Sequence, residues 1–172
     1  MGAGILPITL FKGTLYLLLG QERHDHLWSD FGGSSNKREP PFKTAIREGA
    51  EELNGFLGNE KKLSQLVNKN KLLTIKHEHY TTYVFHIPYN KDLPTFFSNV
   101  NNFAETHLKD KIDVNHNGLF EKTNIEWFSI NKFKNANAKT NANIKIREFY
   151  LPIITTLIKN EQYLIDEINK QK

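Results

Sequence analysis

The sequence predicts an α/β fold in which a mixed sheet lies between helices. Three observations support this prediction: two strand-like segments come first, a helix-like segment follows them, and further strands and helices continue to a terminal helix. This order is typical of a sheet that is covered by helices. The chain has 172 residues, and we expect one domain, 1–172, because domains usually run to roughly 100–200 residues.

The predicted strands are rich in β-branched, aromatic and other apolar residues. They span 5–11, 14–20, 72–88 and 125–130. The first two are joined by Lys12-Gly13, and a glycine at this point suits a tight hairpin. Residues 21–30 are polar and are predicted to form a loop.

The predicted helices span 41–53, 60–72, 92–109 and 144–170. Proline is tolerated at the first helical position, so Pro41 suits the start of the first helix. Asn54-Gly55 is predicted to end it, because both residues tolerate a left-handed backbone. In the last helix Pro152 is predicted to cause a kink or a break. The Asn/Lys/Ala-rich segment 133–143 is predicted to be a mobile loop.

Composition excludes several classes of protein. The chain has no cysteine, which excludes a disulfide framework, a thiolate zinc site and a cysteine nucleophile. No segment approaches the roughly 18 apolar residues of a membrane span, and the N-terminus lacks the pattern of a signal peptide. We therefore expect a cytoplasmic protein with no membrane partner. The net charge of +4 is compatible with a polyanionic partner.

One predicted helix carries a cluster of carboxylates. Glu48, Glu51 and Glu52 are spaced at i, i+3 and i+4, which places them on one side of the helix. The apolar residues form a separate stripe, which we expect to pack on the sheet: Phe42, Ala45, Ile46, Gly49 and Leu53. Clustered carboxylate oxygens suit Mg²⁺ or Mn²⁺, which commonly bridge to substrate phosphates. By itself, this spacing is more often found on a solvated acidic helix face than at a metal site.

Residues before and within this helix extend the pattern. The full pattern consists of Gly33, five residues, Glu39, seven residues, Arg47-Glu48, two residues and Glu51-Glu52. It resembles the Nudix box of the Nudix hydrolase superfamily. The box reads Gly, five residues, Glu, seven residues, Arg-Glu-U-x-Glu-Glu-x-Gly-U, where U is a bulky aliphatic residue.

The sequence departs from the box at three positions. Gly49 replaces the first aliphatic residue, and we expect it to let the helix approach the sheet closely. Asn54 replaces the glycine after the glutamates, and Gly55 replaces the second aliphatic residue. The remainder of the chain fits the order of the family, since two strands precede the box and a strand containing Trp127 follows it.

The resemblance implies an α/β/α sandwich with a mixed sheet and a pyrophosphohydrolase that depends on Mg²⁺ or Mn²⁺. It implies that Glu48, Glu51 and Glu52 are metal ligands, with the carbonyl group of Gly33 as a further ligand. Glu51 and Glu52 are thereby catalytic residues, together with Arg47, which we expect to orient a glutamate of the helix.

The family often has a further glutamate, beyond the box, that acts as a base or a ligand. Glu121 is the first candidate, because it precedes the strand of Trp127, and Glu105 and Glu78 are the other two. Glu39 is expected either to fix the loop before the helix or to bind a metal through water.

The resemblance leaves the substrate open. Candidates are nucleoside diphosphate derivatives, among them free or dinucleoside polyphosphates; the capped 5′ end of mRNA, which would make the protein a decapping enzyme; and diphosphoinositol polyphosphates. A Nudix module that binds nucleotide or RNA without cleaving it is a different class. Short phrases such as 4–7, 28–33 and 55–58 resemble Nudix proteins of large DNA viruses, which favours capped RNA. The basic segment 132–147 would then follow the RNA beyond the cap.

Two other patterns have competing interpretations. Trp28, Tyr80, Tyr83 and Phe85 are candidates for stacking on a base, with core packing as the alternative. Residues 113–118 resemble the first six positions of an EF-hand loop, but Asn124 stands where the bidentate glutamate is required. We therefore predict an Asn-Gly turn at 117–118 rather than a calcium site.

Overall fold

The computed structural model describes residues 1–111, 120–134 and 144–171. In this part of the chain, seven strands form one mixed sheet with helices on both faces. The strands are β1 (Gly2–Phe11), β2 (Thr14–Glu22), β3 (Trp28–Ser29), β4 (Phe31–Ser34), β5 (Lys71–His77), β6 (Tyr80–His86) and β7 (Lys122–Ser129). The helices are α1 (Pro41–Glu52), α2 (Glu60–Asn70), α3 (Leu93–His107), α4 (Asn131–Lys134), α5 (Leu151–Lys159) and α6 (Glu161–Lys170). The predicted α/β fold is confirmed.

Strand β1 is the centre of the sheet. On one edge it pairs with β6 in parallel, and β5 lies outside β6. On its other edge the first half of β1 pairs with β4 and the second half pairs with β2, both antiparallel. The outer edge of β2 is covered by β7. The predicted hairpin between β1 and β2 is confirmed, and both of its turn residues, Lys12 and Gly13, have positive φ angles of 49° and 75°.

The two faces of the sheet form two hydrophobic layers. Side chains alternate along a strand, so Ile5 enters the layer beneath α1, α2 and α3, whereas Leu6 enters the layer beneath α5 and α6. Both side chains are fully buried. The result is the three-layer arrangement that the resemblance implied.

The apolar stripe of α1 packs on β1 as predicted, and Gly49 lies at the closest approach. A Cβ atom on Gly49 would be only 2.5 Å from Cδ1 of Ile5. The bulky aliphatic residue of the Nudix box therefore does not fit here. The helix ends at Glu52, and Asn54 and Gly55 follow with φ angles of 49° and 72°. This confirms the predicted helix stop.

The strand character of the segment 72–88 is confirmed, but Glu78, with a φ of 49°, starts a two-residue turn that divides the segment into β5 and β6. Two other local predictions are wrong. The polar segment 21–30 contains the end of β2 and all of β3. In the segment 144–170, residues 145–147 are extended and hydrogen-bond to Trp28. The chain becomes helical only at Glu148–Tyr150, and Pro152 lies in the first turn of α5 rather than at a kink.

Some predictions fall on residues outside the described part of the chain. These are the turn at 113–118 and most of the loop at 133–143, of which residues 133 and 134 belong to α4. Among the helices of the described residues, none combines the length and the apolarity needed to cross a membrane.

Substitution of Gly49 by valine tests the close approach of α1. The side chain would overlap Ile5, and overpacking of this kind typically costs about 1–3 kcal/mol. We expect Gly49→Val to lower the free energy of unfolding by this amount in urea titrations. Ile5→Ala should rescue part of the loss, so the double variant should be more stable than the sum of the single effects predicts. A Gly49→Val protein as stable as the wild type would contradict the packing argument.

Candidate metal-binding cleft

A cleft of about 580 Å³ opens at the end of the sheet where β2 ends and β7 begins. Of the predicted site residues, Gly33, Glu48, Glu52 and Glu121 line it. The cleft is also lined by Glu22 and Arg23, which no sequence pattern indicated, and by Arg147, the last residue of the basic segment 132–147. Residues from distant parts of the chain are thus gathered around the carboxylates of α1.

Because Gly33 has no side chain, the carboxylate of Glu48 can lie directly against the backbone of β4. A Cβ atom on Gly33 would be 2.6 Å from the carboxyl carbon of Glu48, so any side chain there would displace the carboxylate. Gly33 pairs with Ala3 in the β1–β4 ladder, and its carbonyl oxygen faces Gly2. The role of that carbonyl group as a metal ligand stays a prediction.

Arg47 contacts three glutamates at once. Its guanidinium donates two hydrogen bonds to Glu39, at 3.2 and 3.0 Å, and a further one to the carbonyl oxygen of Ser34. Its Nη1 atom lies 2.9 Å from Glu48 and 3.3 Å from Glu51. This geometry supports the predicted orienting role, because one cation fixes the loop before α1 and two carboxylates on α1.

Glu39 has both carboxylate oxygens occupied by protein donors. Besides Arg47, the backbone N–H of Asn36 and the hydroxyl group of Thr44 donate to it. The hydrogen bonds from Arg47 are the largest cause of a pKa that falls from 4.5 to about 2. The structure therefore favours the loop-fixing alternative for Glu39 over water-mediated metal binding.

Glu52 lies at the base of the cleft with 3% of its surface exposed. Its Oε2 atom accepts a 2.7 Å hydrogen bond from the backbone N–H of Gly32, and its Oε1 atom lies 3.4 Å from Nζ of Lys122. Burial raises the pKa of Glu52 well above its usual value, and the positive charge of Lys122 opposes this shift. Both oxygens of Glu52 thus already face a positively polarised group of the protein.

Lys122 is fully buried between acidic side chains. Its Nζ atom lies 2.5 Å from Oε1 of Glu22 and 3.2 Å from the hydroxyl oxygen of Ser29. At the rim of the cleft, Arg147 Nη1 donates to the same oxygen of Glu22 at 3.0 Å. No sequence motif connected Glu22 with Lys122 and Arg147, because the three residues lie about 25 to 125 positions apart along the chain.

A second buried carboxylate, that of Asp30, was also missed. It is 1% exposed and accepts hydrogen bonds of 2.8 Å from the hydroxyl groups of Tyr80 and Thr82. Burial raises its pKa to about 6, although both hydrogen bonds and Lys122 act in the opposite direction.

The more exposed carboxylates are the ones that suit a metal ion best. Burial raises the pKa values of Glu48 and Glu51, Arg47 lowers them, and the negative charge of Glu121 raises them further. Glu121 is solvent-exposed at the cleft, whereas Glu105 pairs with Arg23 at 3.1 Å. Within residues 1–111, 120–134 and 144–171, no three His, Cys, Asp or Glu side chains converge into a ready-made ligand set. The donor chemistry nevertheless fits, because carboxylate oxygens are the ligands that Mg²⁺ and Mn²⁺ prefer.

A second cavity of about 370 Å³ adjoins the cleft and shares Gly32, Gly33, Ser34 and Arg147 with it. Phe149, which is 40% exposed, lines this cavity, and its ring packs edge-on against Tyr80. The guanidinium of Arg147 lies 5.3 Å from the centre of the Phe149 ring. No local pattern indicated Phe149, because its partner Tyr80 is distant along the chain.

Of the four aromatic residues predicted as stacking candidates, Tyr80 is the one that lines the second cavity. Trp28 and Phe85 are buried in the two hydrophobic layers, and Tyr83 packs edge-on against Phe42 of α1. Core or helix packing therefore accounts for these three.

The basic segment 132–147 is only partly described, and its two described N-terminal lysines lie far from the cleft. They follow the end of β7 that is opposite Lys122, and an eight-residue strand spans roughly 23 Å. Lys134 pairs with Glu161, and the amino group of Lys132 lies over the ring of Phe128. These two lysines do not extend the cleft, whereas Arg147 lines it.

The described part of the chain has the Nudix fold, and solved Nudix structures match nearly its whole length. A C. elegans Ap4A hydrolase in a binary complex has 16% identity and a TM-score of 0.50, with 94% of this chain and 98% of that chain covered. A Francisella tularensis bifunctional NMN adenylyltransferase/ADP ribose pyrophosphatase, complexed with AMP and a Mn ion, has 17% identity and a TM-score of 0.57. That match covers 92% of this chain and 41% of the bifunctional protein.

The NUDIX domain of Shewanella oneidensis NrtR, complexed with ADP ribose, gives a similar result. It has 12% identity and a TM-score of 0.50, and 93% of this chain and 86% of that chain are covered. No protein-family model matches the chain, and no curated protein matches it either. At these identities the comparisons establish the fold.

The pKa of Glu39 predicts how acid affects stability. Its folded-state pKa is lower than 4.5, so the stabilisation is fully present above about pH 4.5 and is lost as the pH falls towards 2. We expect Glu39→Gln to destabilise the protein near neutral pH, with a difference from the wild type that shrinks on acidification. Urea unfolding of both proteins at several pH values measures this difference. A difference that does not change with pH would contradict the assigned ion pair.

Proposed function

We propose that this protein is a divalent-metal-dependent pyrophosphohydrolase that cleaves a diphosphate linkage in a nucleoside diphosphate derivative. The observation that carries this proposal is the placement of Glu48, Glu52 and Glu121 around one cleft, against the glycines of β4. The match of six residues to the Nudix box and the Nudix fold support it.

The chain's own residues would divide the work as follows. Glu48, Glu51 and Glu121 would hold Mg²⁺ or Mn²⁺, which neutralises phosphate charge and activates water when bound. Arg47 keeps Glu48 and Glu51 in place. Arg147 lies at the rim, where its guanidinium would bind phosphate oxygens through charge-assisted hydrogen bonds. Glu121 is also the candidate base, because its carboxylate is exposed at the cleft.

A dinucleoside polyphosphate is the substrate class that we propose first. A diphosphate in the cleft would direct its attached group into the second cavity, since the two cavities share Arg147 and the glycine-rich strand. The structural neighbours include an Ap4A hydrolase and an ADP ribose pyrophosphatase, which favours a nucleotide in that position. The resemblance to viral Nudix proteins, the cytoplasmic location and the decapping role stay predictions.

A substrate panel tests the proposal. The purified chain is incubated with Mg²⁺ or Mn²⁺ and, in parallel, with a dinucleoside tetraphosphate, ADP-ribose, capped RNA and a diphosphoinositol polyphosphate. We expect cleavage of the dinucleoside tetraphosphate, and no cleavage when EDTA is added. Faster cleavage of capped RNA or of the diphosphoinositol polyphosphate would show that this compound, and not a dinucleoside polyphosphate, represents the substrate class. Binding without cleavage of any compound would favour a non-catalytic Nudix module.

Glu51→Gln tests the role of the carboxylates. Glutamine keeps the shape of the side chain but removes the anionic ligand, so we expect turnover to fall by about 100-fold. Glu51 is partly exposed, and the fold should survive, as circular dichroism can verify. Glu167→Gln is the matched control, because Glu167 lies on α6 across the sheet and should leave turnover unchanged. Near-wild-type turnover of Glu51→Gln at saturating Mg²⁺ would refute the assignment.

Phe149→Ala tests the second cavity. Stacking of a base on an aromatic ring is worth roughly 1–3 kcal/mol, so KM for a nucleotide substrate should rise by about tenfold. The change in kcat should be small, because Phe149 does not contact the carboxylates of α1. Phe103→Ala on α3, another exposed aromatic residue, is the control. Equal KM values for Phe149→Ala and the wild type would show that the second cavity is not part of the substrate site.

A further inference from the structure

The ammonium group of Lys122 lies inside the carboxylate cluster rather than at its surface. The residue is 0% exposed, and its Nζ atom is within 3.4 Å of both Glu22 and Glu52. Glu22 and Glu52 are themselves 5% and 3% exposed. Water therefore contributes little to balancing these two negative charges, and Lys122 is the fully buried cation that balances them.

The position of this ammonium group is fixed by the backbone. Lys122 is the first residue of β7 and pairs with Glu22 of β2, so the two side chains are cross-strand neighbours. Asn101 of α3 donates a 2.8 Å hydrogen bond to the carbonyl oxygen of Lys122. Asn54, after α1, accepts a 2.9 Å hydrogen bond from the N–H of Phe120. The start of β7 is thus held from both sides of Lys122.

Electrostatics makes such a cation relevant to metal binding. A divalent ion in the cleft would lie within a few ångströms of the Glu52 carboxylate, and unit charges near a protein surface interact strongly over such distances. The ammonium group occupies the space between Glu22 and Glu52 and neutralises charge that a metal ion would otherwise neutralise. Removal of this cation should therefore change the number of metal ions or the affinity for them.

We propose that Lys122 is a built-in cation of the metal site: a positioning residue that holds Glu52 and limits how many divalent ions the carboxylate cluster binds. This inference rests on the proposed metal-dependent function. It assigns the more exposed Glu48, Glu51 and Glu121 to the metal ion and assigns Glu52 mainly to Lys122 and to Gly32 N–H.

The test counts bound Mn²⁺ by electron paramagnetic resonance, so it does not depend on turnover. In Lys122→Met, which keeps most of the length of the side chain without its charge, we expect one more Mn²⁺ per chain than in the wild type, because an ion replaces the ammonium group between Glu22 and Glu52. The double variant Glu22→Gln/Lys122→Met removes one charge of each sign and is the matched control. It should bind the wild-type number of ions.

A second variant keeps the proposal testable if Lys122→Met does not fold. Glu22→Gln leaves the ammonium group with one acidic partner fewer, so the cluster becomes less negative and the Kd for Mn²⁺ should rise by about tenfold. A merely structural role of Lys122 would leave the number of ions in folded Lys122→Met unchanged. Unchanged stoichiometry in folded Lys122→Met, or an unchanged Kd in Glu22→Gln, overturns the inference. A wild-type protein that binds no Mn²⁺ would overturn the proposed function as well.

Discussion

The close contact between helix α1 and the backbone of β1 and β4 is the constraint on which the site depends. Three glycines permit it: Gly49 faces Ile5, Gly33 faces the carboxylate of Glu48, and Gly32 donates its N–H group to Glu52. A side chain at Gly33 would displace the carboxylate of Glu48, and one at Gly49 would force the helix away from the sheet. The glutamates can converge on the cleft because the backbone beneath them carries no side chains at these glycines.

This contact also removes charged groups from water, and their partners must therefore be supplied by the chain. Arg47 does this for Glu48 and Glu51, and Lys122 does it for Glu22 and Glu52. Burial costs several kcal/mol per ion, and replacement of a buried ion pair by apolar side chains is often neutral or stabilising by about 1–4 kcal/mol. Stability alone thus gives a weak account of Lys122, whereas breaking the pair would be costly because it leaves a bare charge. A role of Lys122 in the cleft would explain why the chain has a buried ion pair that contributes little to stability.

The parts of the site that could be predicted from the sequence are those that depend on local spacing. Glu48, Glu51 and Glu52 share one side of α1, and Arg47 reaches them from the same helix. The contacts of Glu22 with Lys122 and Arg147 could not be predicted, because they join residues as much as 125 positions apart and leave no periodic pattern. The same limit applies to the fold. The strand pairs of β1 and β2 follow from composition, but residues 145–147 are extended because they bond to Trp28, a tertiary partner that overrides their helix-like pattern.

Asn54 shows how a departure from the Nudix box connects the box to the remainder of the site. Glycine at this position would provide only a left-handed backbone, and Asn54 provides it as well, with a φ of 49°. Its amide also donates to Asn101 at 2.8 Å and accepts from the N–H of Phe120 at 2.9 Å. These two bonds connect the end of α1 to α3 and to the residue before Glu121. The residue that ends the acidic helix thereby also positions the strand that brings Glu121 to the cleft and Lys122 beneath it. The helix and the strand consequently reach the cleft as one hydrogen-bonded unit.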